Sequence, residues 1–130
     1  MVEVRIPIRW RDVDGYGHVN NAVFLNYLEE ARDRLVTSLF GDRSWDFVIA
    51  RVAIDFREEL RQEDGEALVR CRVTGFGTSS VRTAEEVRRA DDTLAAEARS
   101  VVVPRDPATG RSRPLTEEER STLEAAIEAG

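Results

Sequence analysis

The chain has 130 residues, 42% of them hydrophobic and 34% charged, with a formal net charge of −6. That is the size and balance of one soluble globular domain, too apolar for a disordered chain, and no run approaches the ~20 apolar residues that a membrane span needs. The acidic balance argues against nucleic acid as a partner. A single cysteine (Cys71) and a single histidine (His18) exclude an internal disulfide and any metal site built from several of either.

All 19 basic residues are arginine, a mild bias toward phosphate contacts. The N-terminal stretch Met-Val-Glu-Val-Arg-Ile-Pro-Ile alternates and carries an early acid, unlike a secretory signal, so the expected location is the cytoplasm. One domain over residues 1–130 is expected.

Residues 2–11 alternate strictly. Val2, Val4, Ile6, Ile8 and Trp10 share one face, which predicts a half-buried strand. Pro7 cannot donate to a ladder, so this strand belongs at an edge or is locally unpaired there. Residues 12–21, Asp-Val-Asp-Gly-Tyr-Gly-His-Val-Asn-Asn, break every period and predict a loop whose last asparagines can cap a helix.

Residues 22–40 change to helical spacing. Val23, Phe24, Tyr27, Leu28, Ala31, Leu35 and Leu39 form the apolar stripe, with Glu29, Glu30, Arg32, Asp33 and Arg34 on the remaining surface, and Gly41 is a natural stop. The helix is about five turns, or roughly 30 Å long.

Four further strand-like segments follow at 47–57, 66–76, 79–89 and 93–103. Their short links, Gln62–Gly65, Gly75–Thr78 and Ala90–Asp92, favour antiparallel hairpins. The run Gly75-Phe-Gly-Thr-Ser-Ser80 loosely resembles a phosphate loop but lacks its lysine and following helix, so a hairpin turn is the better reading. Asp106–Gly110 is a turn, and Thr116 followed by Glu117, Glu118 and Glu119 opens a C-terminal helix over 116–129, expected to be peripheral. One long helix covered by one curved sheet is an α+β arrangement. It leaves surface that an oligomer would cover.

The loop at 12–21 gathers two carboxylates, the only histidine and two asparagines just ahead of a helix N-terminus. Such a terminus offers unpaired N–H groups to a developing oxyanion, and a carboxylate beside it can activate water or attack a carbonyl. Those residues suggest acyl transfer. The plainer alternative is an acidic loop in which Asp14 and Asn20 merely satisfy backbone donors.

The stretch from Trp10 to Arg32, with its acidic pair, glycine, His-Val-Asn-Asn and aromatic-rich helix ending in Glu-Glu-Ala-Arg, resembles the signature of the 4-hydroxybenzoyl-CoA thioesterase-like branch of hot-dog proteins. The His-Val-Asn-Asn form is also similar to long-chain acyl-CoA and acyl-carrier-protein thioesterases. Strand order and the late Pro-Arg-Asp-Pro-Ala-Thr-Gly-Arg segment extend the match loosely to about residue 115.

The resemblance implies a hot-dog fold and hydrolysis of an acyl thioester, an acyl-CoA before an acyl-carrier protein, without a cofactor. Asp14 matches the catalytic aspartate, the backbone N–H near Asn21 the oxyanion donor, and Gly17 the glycine that admits the thioester. Some relatives carry histidine or tyrosine near the position of Asn21. The asparagine here leaves nucleophilic and base-catalysed routes both open.

Arg32 matches a helix arginine, expected to form an ion pair, and relatives assemble as homodimers or homotetramers with sites at the interface. Asp12 is expected to hold the loop, His18 to be a hydrogen-bonded structural residue, and Cys71 to be a buried inert thiol. Arg105, Arg111 and Arg113, concentrated around a turn, are candidates for the phosphates of coenzyme A. Glu29 and Glu30 could reach a neighbouring subunit's site, though solvated helix acids are the simpler reading. Two competing functions are an acyl dehydratase, whose histidine-and-distant-acid pattern is absent here, and a non-catalytic acyl-thioester-binding module.

Overall fold

The computed structural model describes residues 1–41 and 45–130. Five strands, β1 (Val2–Pro7), β2 (Phe47–Phe56), β3 (Glu66–Phe76), β4 (Val81–Arg89) and β5 (Leu94–Pro104), form one antiparallel sheet in the order β1-β3-β4-β5-β2. The long helix α1 (Asn21–Phe40) lies across β1, β3 and β4, and the C-terminal helix α2 (Glu117–Ala129) packs on β3 and touches α1.

The ends of α1 are set by local chemistry. The Asn20 side chain accepts from the Ala22 N–H at 2.8 Å and caps the start. Gly41, at φ 90°, closes the end by donating to the Thr37 carbonyl. Phe24, Tyr27, Leu28, Ala31 and Leu35 are buried against inward-facing Val69, Cys71, Val73, Val87 and Ala96. Leu123 of α2 joins the same core and is fully buried.

Three details depart from the sequence-based expectation. The first strand stops at Pro7, and Trp10–Asp12 instead form a 3-10 turn. The Arg9 N–H donates to the Asp12 carboxylate while the Asp12 N–H donates to the Arg9 carbonyl, which turns the chain and leaves Trp10 80% exposed.

The link after β2 is not a hairpin. β2 pairs with β5 at one edge, and the chain crosses over 57–65 to reach β3, beside β1 at the other edge. The crossing is anchored by Leu60, fully buried, whose carbonyl accepts from the Val19 N–H at 2.7 Å. The other two short links do form hairpins, β3–β4 and β4–β5. In the first, the 75–80 stretch makes the turn, with Gly77 donating to the Ser80 carbonyl.

Thirdly, Arg32 is not on the surface. It is 5% exposed and faces the sheet, where its guanidinium lies 3.5 Å from Glu85 and 3.3 Å from the Ser100 hydroxyl. Ser100 and Thr83 both donate to the Glu85 carboxylate. Burial raises the Glu85 pKa, and these partners only partly counter it.

Candidate active site

The loop ahead of α1 is a tight hairpin. Val13 bridges Val19, Asp14 N–H donates to the His18 carbonyl, and Asn20 N–H donates to the Asp12 carbonyl. Gly17 turns the hairpin at φ 90°, a conformation that favours glycine, and its N–H donates to the Asp14 carbonyl. The fold-back sets Asp14 opposite His18, two residues before the cap of α1. Val19, 2% exposed, pins the hairpin to the core.

The two acids of the loop have different surroundings. Asp12 is 3% exposed and accepts from the Tyr27 hydroxyl at 2.8 Å and the Arg9 N–H at 3.0 Å. Burial pushes its pKa up, but those donors and the Arg9 guanidinium outweigh it, so the carboxyl lies below its usual range. A carboxylate already engaged on this scale holds the hairpin to α1.

Asp14 is freer. Its side chain is 25% exposed, one oxygen accepts from the Tyr16 N–H at 2.9 Å, and the other has no donor among the described residues. The same bonded oxygen lies 3.9 Å from His18 Nδ1, while His18 Nε2 lies 3.6 Å from Glu59. His18 therefore stands between two carboxylates.

A hollow of about 360 Å³ opens beside His18 and Glu59, lined by these two and by Asn21, Phe24, Phe56 and Glu58. Its apolar wall is the Phe24–Phe56 pair, ring centroids 5.3 Å apart and edge to face. At its rim is the start of α1. The Ala22 N–H is taken by the Asn20 side chain and the Val23 N–H by the Asn20 carbonyl, whereas the Asn21 N–H has no acceptor among the described residues. An unpaired N–H at a positive helix end can polarise a carbonyl, and a carboxylate with a free oxygen can activate a nucleophile.

Glu58 and Glu59 do not stand out in the sequence. They follow a strand in a charged run, and only the crossing over 57–65 carries them to the hairpin. The Arg61 guanidinium, 2.6 Å from Glu59, holds that carboxyl below its usual range.

Of the three arginines considered for phosphates, Arg105 pairs with Asp46 at 3.1 Å and Arg113 with Glu119 at 2.8 Å. Arg111 makes no ion pair among the described residues and is exposed. Cys71 is fully buried, and burial, with Glu85 nearby, pushes its thiol up to about 12, which leaves no thiolate at neutral pH.

A long helix wrapped by this five-stranded sheet is the hot-dog fold. The family model described as the Thioesterase-like superfamily matches residues 8–125, and the chain belongs to that superfamily. A thioesterase from Thermus thermophilus, solved in complex with coenzyme A and zinc, is 35% identical, covering 97% of this chain and 94% of that one at a TM-score of 0.84.

A predicted thioesterase from Bacillus stearothermophilus is 26% identical over 96% and 95% of the two chains, at a TM-score of 0.87. A thioesterase-superfamily protein from Jannaschia sp. CCS1 shares the fold at 16% identity, with 97% and 92% covered and a TM-score of 0.89. No curated protein matches the chain. Among the described residues no three His, Cys, Asp or Glu side chains gather where they could hold a metal ion, so the residues here do not fit the zinc of the Thermus complex.

Proposed function

We propose that the protein hydrolyses an acyl thioester, an acyl-CoA before an acyl-carrier protein, to the free acid and the thiol, within the 4-hydroxybenzoyl-CoA thioesterase-like branch. The observation that supports this reading is the hairpin that folds Asp14 back opposite His18, just ahead of α1, whose Asn21 N–H has no acceptor among the described residues.

In this reading the thioester carbonyl oxygen accepts from the Asn21 N–H. Asp14 either takes a proton from a water whose oxygen attacks the carbonyl carbon, or attacks that carbon itself to form a mixed anhydride that water then hydrolyses; in both routes the C–S bond breaks and the thiolate leaves and is protonated. The negative charge that builds on the oxygen meets the positive end of α1, which stabilises the transition state more than the neutral ester. Gly17 keeps the approach clear: the space that a side chain would fill there is open, with no atom within 4 Å, and the positive φ favours glycine. His18 orients the carboxylates on either side of it. Family membership and the 35% identical thioesterase bound to coenzyme A support the substrate class.

The acyl group would enter along the Phe24–Phe56 wall, and Arg111, the unpaired one of the three arginines near the turn, would meet a phosphate. The working form is a homodimer or homotetramer. β2 is an edge strand of ten residues with Val48, Ile49 and Phe56 each at least 40% exposed, an open ladder that a second copy would close. The reading sets the reaction in the cytoplasm, where a free thiol such as Cys71 stays reduced.

A panel of acyl-CoAs, with released thiol followed by a thiol reagent, tests the function. Thiol release with at least one acyl-CoA is the expected outcome. A change in enoyl absorbance without thiol release would make the protein a dehydratase, and binding without either would make it a non-catalytic module. Sedimentation at micromolar concentration showing only a ~15 kDa species would contradict the oligomer.

A further inference from the structure

The face of the sheet turned away from α1 carries a feature that the acyl site does not use. Side chains of β2, β3, β4 and β5 alternate between the two faces, and on the outer one the register builds two adjoining rows. One row reads Arg72, Ala84, Arg99, Ala53, and the next reads Gly75, Arg82, Val101, Arg51. Arginines thus stand on alternate strands, offset between rows, with small residues in the squares between them. At about 4.8 Å between strands and about 6.7 Å for two residues along a strand, neighbouring arginines of this checkerboard root within about 10 Å of one another.

All four arginines are exposed, and none has an ion pair or hydrogen bond among the described residues. The rest of the same face is different. Arg70 pairs with Glu3 at 2.8 Å, Arg88 with Glu86 at 2.8 Å, and Arg57 with Glu97 at 3.5 Å. In a chain of net charge −6 acids are plentiful, and Asp55, Glu86 and Glu97 stand in the adjoining row, yet no acid among the described residues pairs with the quartet. Each of the four charges is rooted within about one Debye length of its neighbour at 0.1 M salt, so the fields of neighbours add.

The quartet also has a shaped floor. It lines a hollow of about 500 Å³ whose base is Ala53, Ala84, Val101 and Thr74. Gly75 contributes by absence: a Cβ there would fall 2.2 Å from Arg82 Nη2, so the glycine clears the bed on which that guanidinium lies across β3. Arginine forks match phosphate oxygens, often two at a time, and several forks around one small hollow suit an anion of more than one phosphate.

We infer that the outer face of the sheet is a binding site for a polyphosphate group, held by Arg51, Arg72, Arg82 and Arg99. The inference is independent of the thioesterase reading, because these residues lie on the opposite face from Asp14 and the start of α1. The phosphate cluster could be that of a free polyphosphate or of a nucleotide-bearing molecule such as coenzyme A. The chemistry of recognition is the same.

Calorimetric titration of inorganic tripolyphosphate into the full chain at low salt tests it. A saturable site, one per protomer, is expected. Binding should weaken at least tenfold in Arg82→Gln/Arg99→Gln and stay within twofold in a charge-matched control, Arg11→Gln/Arg34→Gln, whose arginines are exposed elsewhere. Gly75→Ala, which keeps every charge but moves the Arg82 guanidinium, should weaken binding by a smaller factor. Competition with coenzyme A then separates the sources: displacement of tripolyphosphate assigns the site to the nucleotide end, and no displacement assigns it to free polyphosphate. No saturable binding, or equal weakening in both double variants, would overturn the inference. So would a smaller sedimenting species for Arg82→Gln/Arg99→Gln with tripolyphosphate affinity unchanged, since the face would then be a contact between copies.

Discussion

Glu119 ties the C-terminal helix to the rest of the fold, and its contribution can be worked out from its partners. Both Glu119 oxygens accept from the Arg113 guanidinium at 2.8 Å, one also accepts from the Thr116 N–H, and the other accepts from the Trp45 indole N–H. The Arg113 hydrogen bonds above all hold its carboxyl at about 2, against an ordinary 4.5; burial opposes this, and the Thr116 and Trp45 donors add to it. The distance between those values corresponds to about 3 kcal/mol of folding free energy.

The side chain is 12% exposed, so solvent screening removes only part of that. Because the folded value is depressed, the stabilisation is fully present above the unfolded value and is lost as pH falls from about 4.5 to about 2. Glu119→Gln should therefore cost about 2–3 kcal/mol at pH 7 and almost nothing at pH 2. Urea unfolding at a series of pH values measures this, with Trp45 fluorescence as a reporter in contact with the mutated group. A wild-type-to-variant gap that stays constant from pH 7 to pH 2, or one below about 0.5 kcal/mol at pH 7, would refute the reasoning.

Tyr27→Phe removes the hydroxyl that donates to buried Asp12, and a bond to a charged acceptor should cost about 1.5–3 kcal/mol in urea unfolding. Leu60→Ala opens a void under the crossing that holds Val19. It should destabilise by about 2–5 kcal/mol, with thiol release falling as the hairpin loosens, so normal stability would contradict the packing role. Arg111→Glu should raise KM for an acyl-CoA severalfold and leave kcat nearly unchanged, and an unaltered KM would place the nucleotide elsewhere.

Much of this architecture can be read along the chain because its signals are local. Asn20, the stripe from Phe24 to Leu35 and Gly41 delimit α1 by capping and periodicity alone, and the alternation in β3, β4 and β5 reports one buried face. The segment at 12–21 is legible as a loop for the same reason, since its glycines, acids and asparagines cluster, but the pairing of Val13 with Val19 that makes it a hairpin is not. What the sequence does not carry is the pairing of distant segments. β2 and β3 follow one another across a short link, yet β2 closes on β5 because the chain passes beneath the start of α1 at Leu60. Glu59 reaches His18 only through that crossing.

Arg32 shows the same limit on a smaller scale. A charge on a helix looks solvated until Glu85, Thr83 and Ser100 arrive from β4 and β5 to receive it. Trp10 fails in the opposite sense: it continues an alternating pattern, but the Arg9–Asp12 turn ends the strand before it and leaves the ring in solvent.

The central claim is that the open oxygen of Asp14 drives the chemistry while Asp12 only holds the hairpin. Steady-state thiol release by Asp14→Asn on the best acyl-CoA measures it most directly, since the amide keeps size and hydrogen bonding but removes charge and basicity. The account predicts a fall in kcat of roughly 10²–10⁴, the usual worth of a general base, with unfolding midpoint and sedimentation unchanged and a much smaller loss for Asp12→Asn. A folded Asp14→Asn protein that turns over within a few-fold of wild type would contradict it, and His18 or Glu59 would then have to carry the reaction.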